Sequence, residues 1–141
     1  MWEACIEMAT TTNVPLSFFS NSGFKKLIKP ITNKFSMSKI INPSNVKNII
    51  QETSQHIKNK IISETNKKII SLKIDAVSRH FRSLIGINIQ YIDSSNRVTI
   101  KTLAVKEMFG RQTAANLKCF ILGVLNDYKT SIDQIYIYNH N

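Results

Sequence analysis

A chain of 141 residues holds at most one domain's worth of sequence, and its 43% hydrophobic residues are enough for a core, which excludes wholesale disorder. Nineteen lysines and arginines against nine acids leave a net charge of +10, pointing to an anionic partner, nucleic acid before membrane. No stretch reaches the roughly 20 apolar residues of a membrane span, "MWEACIEMATTT" lacks the basic start and long apolar run of a signal peptide, and two separated cysteines, Cys5 and Cys119, fit a reducing intracellular compartment and exclude a zinc finger.

In chain order, Trp2, Cys5, Ile6 and Ala9 recur at helical spacing and predict a short amphipathic helix closed by Pro15. A second short helix follows, with Phe24, Leu27 and Ile28 as its buried face and Pro30 limiting its length. "NPSNVKNIIQETSQHIKNKIISETNKK" predicts a long helix capped by Ser44, with a stripe of Val46, Ile49, Ile50, Thr53, Ile57 and Ile61. Its opposite face carries Lys47, Gln51, Ser54 and Lys58.

From Ile69 the period changes to two. Ile70, Leu72 and Ile74 share one face of a strand, and Ser71, Lys73 and Asp75 the other. Ile85, Ile87, Ile89 and Tyr91 form the apolar face of a second strand, and "DSSN" is a turn signal that makes Asp93 a turn residue. A third strand has Val98 and Ile100 in one phase and Leu103 and Val105 in the other, which predicts a bulge or a change in what covers each face. Thr113 caps a helix with the stripe Leu117, Phe120, Ile121, Val124, Leu125 and Tyr128, and "IDQIYIY" reads as a fourth strand. A helical crossover before that strand sets it parallel to the first.

Asp75 is the residue of chemical interest. It ends an apolar, β-branched run containing no other acid. One reading makes it an ordinary strand-end and turn residue; the other makes it the first ligand of a metal-dependent nuclease site. Glu107, Asp127 and Asp133 lie at predicted element ends and read as solvated, and His56 and His80 have no second ligand at metal spacing, so no metal site is assigned. Between Phe24 and Lys68 stand ten lysines and two acids, more bias than a solvated helix face needs. Lys25, Lys26, Lys47 and Lys58 are the expected phosphate contacts in that region.

"SLKIDAVSRHFRSLIGINIQYI", "VTIKTLAVKEMFGRQTAANLK" and "SIDQIYIY" resemble the start of the catalytic domain of hAT-superfamily transposases and their BED-finger-associated relatives. Residues 14–45 resemble the segment that precedes this domain. The resemblance implies an α/β protein, N-terminal helices followed by a truncated RNase H-like β-β-β-α-β unit, divided into a helical, lysine-rich region 1–68 and a partial RNase H-like region 69–141. It makes Asp75 the vestigial first acid of the family triad, with Ser78 at the hydroxyl position and Val77 where the family has Trp. Gln112 replaces the His of the family's helix start, while Thr113, Ala114 and Asn116 are kept. Asn141 stands where the second carboxylate belongs, and an amide cannot supply the charge two Mg²⁺ ions require. The third acid and the dimerisation region are expected downstream of this chain, and the N-terminal zinc finger is missing. Arg79 and Arg82, in the polar connection after Asp75, would face a phosphate backbone.

The expectation is a truncated, catalytically inactive hAT-type remnant, not an enzyme, that binds DNA weakly and without sequence preference in the nucleus. It needs no cofactor, because a divalent cation is implied only for a complete family member. From another class comes a small protein–protein interaction module, self-associating or docking on a longer transposase relative through an uncovered sheet. A third reading is a fragment of a longer, active transposase.

Overall fold

A computed structural model describes residues 1–34, 40–79, 82–108 and 113–136, the side chains of Arg79 and Arg82 excepted. Readings that rest on His80, Gln112, Asn139, His140 and Asn141 lie outside the described residues. The chain divides into two compact units, Met1–Ile57 and Lys58–Asn141, with the boundary inside its third α-helix.

In the first unit, α1 (Trp2–Thr10) follows its apolar spacing: Cys5 is buried, and Trp2, Met8 and Ala9 pack beside it. The helix ends short of Pro15. The Thr10 and Thr12 hydroxyls donate back to the carbonyls of Ile6 and Met8 at 2.8 and 2.7 Å, a local bond that competes with the helix, and Asn13 takes a left-handed φ of 55°. Pro15 instead precedes a 3₁₀ turn, Leu16–Ser20, as its N-cap with φ −64°. That turn delivers Phe19, fully buried, against Phe18 and Phe24 with ring centroids 5.9 and 5.4 Å away.

The next helix, α2 (Ser22–Lys34), starts where the Asn21 carboxamide oxygen accepts the Gly23 and Phe24 amides at 2.8 and 3.3 Å. Pro30 does not limit it; it sits inside, on an exposed stretch where the carbonyl it frees can reach water. Phe24 and Ile28 turn inward as expected, whereas Leu27, at the margin of their arc, is 73% exposed. The long helix α3 (Pro43–Thr65) is capped by Asn42 rather than Ser44. The Asn42 side chain accepts the Asn45 amide at 2.8 Å, and Pro43, which has no amide hydrogen to satisfy, takes the first helical position. Of its apolar stripe, Val46 and Ile61 are buried in separate clusters, while Ile57 belongs to neither and is 53% exposed.

The second unit contains β1 (Ile70–Arg79), β2 (Arg82–Ile92), β3 (Val98–Met108), α4 (Ala114–Asp127), a 3₁₀ turn at Ile132–Gln134 and β4 (Ile135–Tyr136). The sheet order is β3-β2-β1-β4, antiparallel except for β4, which runs parallel to β1. Helices followed by this mixed four-stranded sheet are the α/β order expected. Ile85, Ile87, Ile89 and Tyr91 of β2 are buried with Ile61, Ile70 and Val124, and Leu117, Phe120, Ile121 and Tyr128 of the α4 stripe pack against them. Thr113 caps α4 by accepting the Asn116 amide at 3.2 Å.

The predicted bulge is present. Ile87 pairs with Ala104 and Asn88 with Thr102, so Leu103 has no partner across the ladder. Its carbonyl accepts the Tyr128 hydroxyl at 2.9 Å, which satisfies the oxygen and ties α4 to β3. On the same side Tyr91 donates to the Glu64 carboxylate at 2.5 Å. Burial first, then that hydrogen bond, holds the Tyr91 phenol well above its usual range.

Asp93 organises the β2–β3 turn as the sequence predicts. One carboxylate oxygen accepts the Ser95 and Arg97 amides at 2.8 and 2.9 Å, and the other faces the Arg97 guanidinium at 3.4 Å. The Arg97 amide bond, with smaller help from Ser95, Arg97 charge and Thr99, lowers the Asp93 carboxyl below its ordinary value despite an opposing desolvation effect. A depressed acid stabilises the hairpin fully above its unfolded value, about pH 4, and loses that support as pH falls through the lower folded value. The protection of the Arg97 amide against hydrogen exchange, relative to its intrinsic rate at each pH, should therefore fall on acidification below about pH 4. In Asp93→Asn this acid-side dependence should disappear, and persistence of it in that variant would assign it to another group.

Candidate functional site

β1 does not end at Asp75. It continues through Ala76, Val77 and Ser78 to Arg79, and β2 begins at Arg82, leaving only residues 80 and 81 between the strands. The expected polar connection is thus mostly ladder. Val77 pairs with Leu84, and Ser78 with Ser83, whose hydroxyls lie 3.0 Å apart. Alternating β-branched and apolar residues favour continued pairing over a loop. Arg79 and Arg82 are consequently backbone partners at the hairpin end rather than loop residues.

Asp75 therefore sits in mid-strand, opposite Gly86. Side chains alternate between faces, so it projects away from the α4 side, together with Lys73 and Val77 of β1. Across the strands it belongs to a polar chain. The Lys73 ammonium is 3.5 Å from its Oδ2, the Asn88 amide nitrogen approaches the same oxygen at 3.5 Å, and Asn88 Oδ1 accepts the Thr102 hydroxyl at 2.7 Å. The pair Lys73–Asp75 is solvent-exposed, where such a bridge contributes little to stability. Among the described residues no group of three or more His, Cys, Asp or Glu side chains could hold a metal. The donor set at Asp75 offers one carboxylate, an amide and a hydroxyl beside a lysine cation, and it does not fit the carboxylate-rich cradle of a two-metal centre.

The basic residues separate by role. Lys25 and Lys26 are exposed on α2, and Lys47 is exposed near the start of α3. Lys58 is different: its ammonium lies 5.3 Å from the centre of the Tyr128 ring, so the charge that the sequence puts on a solvated face is engaged with an aromatic one. Lys68 stands likewise over Tyr91 at 5.4 Å and Lys106 over Phe120 at 5.4 Å. Among the described residues no helix is long and apolar enough to cross a membrane.

A four-stranded mixed sheet with an antiparallel β1–β2–β3 meander, a crossover helix and a parallel β4 defines an RNase-like α/β domain. Residues 16–139 match the family model of the ZMYM1/FAM200 RNase-like domain, a transposase-derived-like domain, and the chain belongs to that family. No curated protein matches the chain.

The sequence reading missed the partners of Asp75. Asn88 and Thr102 lie 13 and 14 residues from their partners in the chain, and they meet only once two hairpin registers are fixed. The nearest available signal was the pair of short connections, which sets those registers.

Proposed function

We propose that the domain descends from a hAT-type transposase, no longer cuts DNA, and binds nucleic acid weakly through its lysine-rich helices without reading sequence. Helix α2 carries the reading: "SGFKKLIKPITNK" has four lysines and no acid. At 100° per residue Lys25, Lys26, Lys29 and Lys34 spread over the half of the helix opposite Phe24 and Ile28. Lys25 and Lys29 stand one turn apart, where like charges cost a few tenths of a kcal/mol rather than stabilise. A polyanion relieves that repulsion, and counterion release makes the contact favourable and salt-dependent. Lys47 extends the charge within the same unit. Such a role belongs in the nucleus.

Loss of cutting is supported by the surroundings of Asp75. Phosphodiester chemistry of this type needs several carboxylates around cations roughly 4 Å apart. Asp75 has Lys73 at 3.5 Å instead, and a neighbouring positive charge opposes cation binding.

Titration of unrelated duplexes at roughly 50 and 200 mM salt tests the binding. For about four phosphate contacts the affinity should fall roughly a hundredfold between them. Replacing Lys25 and Lys26 together by Ala should flatten the logarithmic salt slope by about two. Salt-insensitive affinity, or strong preference for one duplex, would sink the idea. In the same preparations, plasmid nicking with Mn²⁺ should be negligible and equal for wild type and Asp75→Ala. Metal-dependent nicking abolished in that variant would show a working site.

A further inference from the structure

Beside the lysines of α2 lies a pocket of about 330 Å³, near the lower end of the sizes that enclose a small-molecule-sized group. Its described lining belongs wholly to the first unit. At 100° per residue Lys25, Lys29 and Thr32 share an arc of about 60° on α2, with Ile28 at the core-side edge of that arc. Ile40 and Ile41, just ahead of α3, supply the other wall. That wall is fixed: Ile41 is buried, and the Ile40 carbonyl accepts the Asn45 side-chain amide at 2.7 Å. The Ile40 side chain nevertheless stands 77% exposed.

The pocket is thus apolar on one side and cationic on the other, with no acid among its described lining residues. Neither Lys25 nor Lys29 has a carboxylate partner among the described residues. A duplex can offer such a site only phosphates, because its bases are stacked and paired inside. An unpaired nucleotide carries both complements at once, a phosphate for the lysines and a base with apolar faces and a polar edge. The Thr32 hydroxyl donates to the Lys29 carbonyl at 3.0 Å and keeps its own lone pairs for a base N–H. Asn33, also on the lining, offers both a donor and an acceptor, so the base edge is not desolvated without partners. The lysines also continue past the pocket at Lys26 and Lys34, which suits a polyanion better than a short acidic peptide.

We propose that this pocket takes one unpaired base of a single strand, with the flanking phosphates resting on Lys25 and Lys29. The site rests on the nucleic-acid binding proposed above and adds what charge alone cannot give, a contact with the base itself. Its walls are aliphatic, so the base gains from leaving water rather than from ring stacking. A strand that keeps its phosphates but lacks its bases should lose this part of the affinity and no other.

Fluorescence anisotropy of the full chain tests this with three labelled probes at low salt: a thymidine strand, an abasic strand of the same length and charge, and a duplex. Wild type should bind the thymidine strand roughly fivefold or more tighter than the abasic one, the low end of what one base contact gives. Ile40→Gln, at an exposed position, should keep the far-ultraviolet spectrum, leave the abasic affinity unchanged and bring that ratio near one. Asn33→Ala, exposed as well, should lower the same ratio and serves should Ile40→Gln fail to fold. Lys29→Ala should instead weaken all three probes and flatten the logarithmic salt slope by about one. Equal affinity for the thymidine and abasic strands, with salt-dependent binding kept, overturns the base pocket, leaves the charge reading standing and frees the pocket for an acidic peptide. A ratio unchanged in both pocket variants also overturns it. Absence of salt-dependent binding to every probe overturns the pocket and the charge reading together.

Discussion

Ile87→Ala should lower the stability of the sheet unit by about 2–5 kcal/mol, the largest single loss expected there. Ile87 has no exposed surface and sits at the centre of the middle strand. It pairs with Ile74 on one side and Ala104 on the other, and it lies in the same buried cluster as Ile61, Val124 and Leu103. Shortening it removes buried methylene groups and leaves a hole that three strands and a helix cannot close without breaking the ladder. At about 0.05–0.15 kcal/mol per residue, a unit of this size holds only some 4–12 kcal/mol in all. Much of its margin should vanish, and the urea midpoint should drop with little change in slope. Ile100→Ala is the comparison: that side chain is 65% exposed, so its truncation should cost well under 1 kcal/mol. Equal losses for the two would mean that the α4 side is not the principal core.

The contrast between these two isoleucines marks what was legible in the sequence. The α4 stripe from Leu117 to Tyr128 and the alternation of Ile85, Ile87, Ile89 and Tyr91 are long, strongly periodic signals, and both gave the right buried face. The phase change between Ile100 and Leu103 gave the bulge. Which face of β3 would be covered was not legible, because alternation names two faces and does not say which one a helix lies on. Boundaries failed where one residue type carries two meanings. Asp75 followed by a basic, serine-containing stretch looks like a strand end, yet the pairing of Val77 with Leu84 carries the ladder on to Arg79. Pro30 looks like a helix limit, but an exposed helix tolerates one lost hydrogen bond. Asn42 and Ser44 are both good caps, and Pro43 between them decides for Asn42, since proline is favoured one position inside a helix.

For the candidate site the limit was of another kind. Composition alone identifies a lysine excess, and α2 presents Lys25 and Lys26 to solvent. Whether a given lysine is free depends on contacts distant in the chain, as with Lys58 over Tyr128. The chemistry available to Asp75 likewise depends on Asn88 and Thr102, which local pattern cannot bring to it.

Phe19→Ala should have the largest effect in the first unit, about 3–5 kcal/mol. Phe19 is fully buried, while the neighbouring Phe18 is partly exposed. It meets Phe18 and Phe24 nearly perpendicular, at interplanar angles of 83° to each, a geometry that adds about 0.5–1.5 kcal/mol per pair beyond burial. Around it lie Cys5 of α1, Ile41, and Val46 of α3, the other buried members of this small cluster. Three of the unit's elements therefore meet on one ring, and no second large side chain in the turn Leu16–Ser20 is buried to replace it. Losing it should release α1 and α2 first. Their amides should lose protection from hydrogen exchange, since neither short helix is stable in water without tertiary packing. Amides of β2 should keep theirs, because the cluster around Ile87 contains no residue of the first unit. Loss of protection in β2 to the same extent as in α1 would show that the two units melt as one.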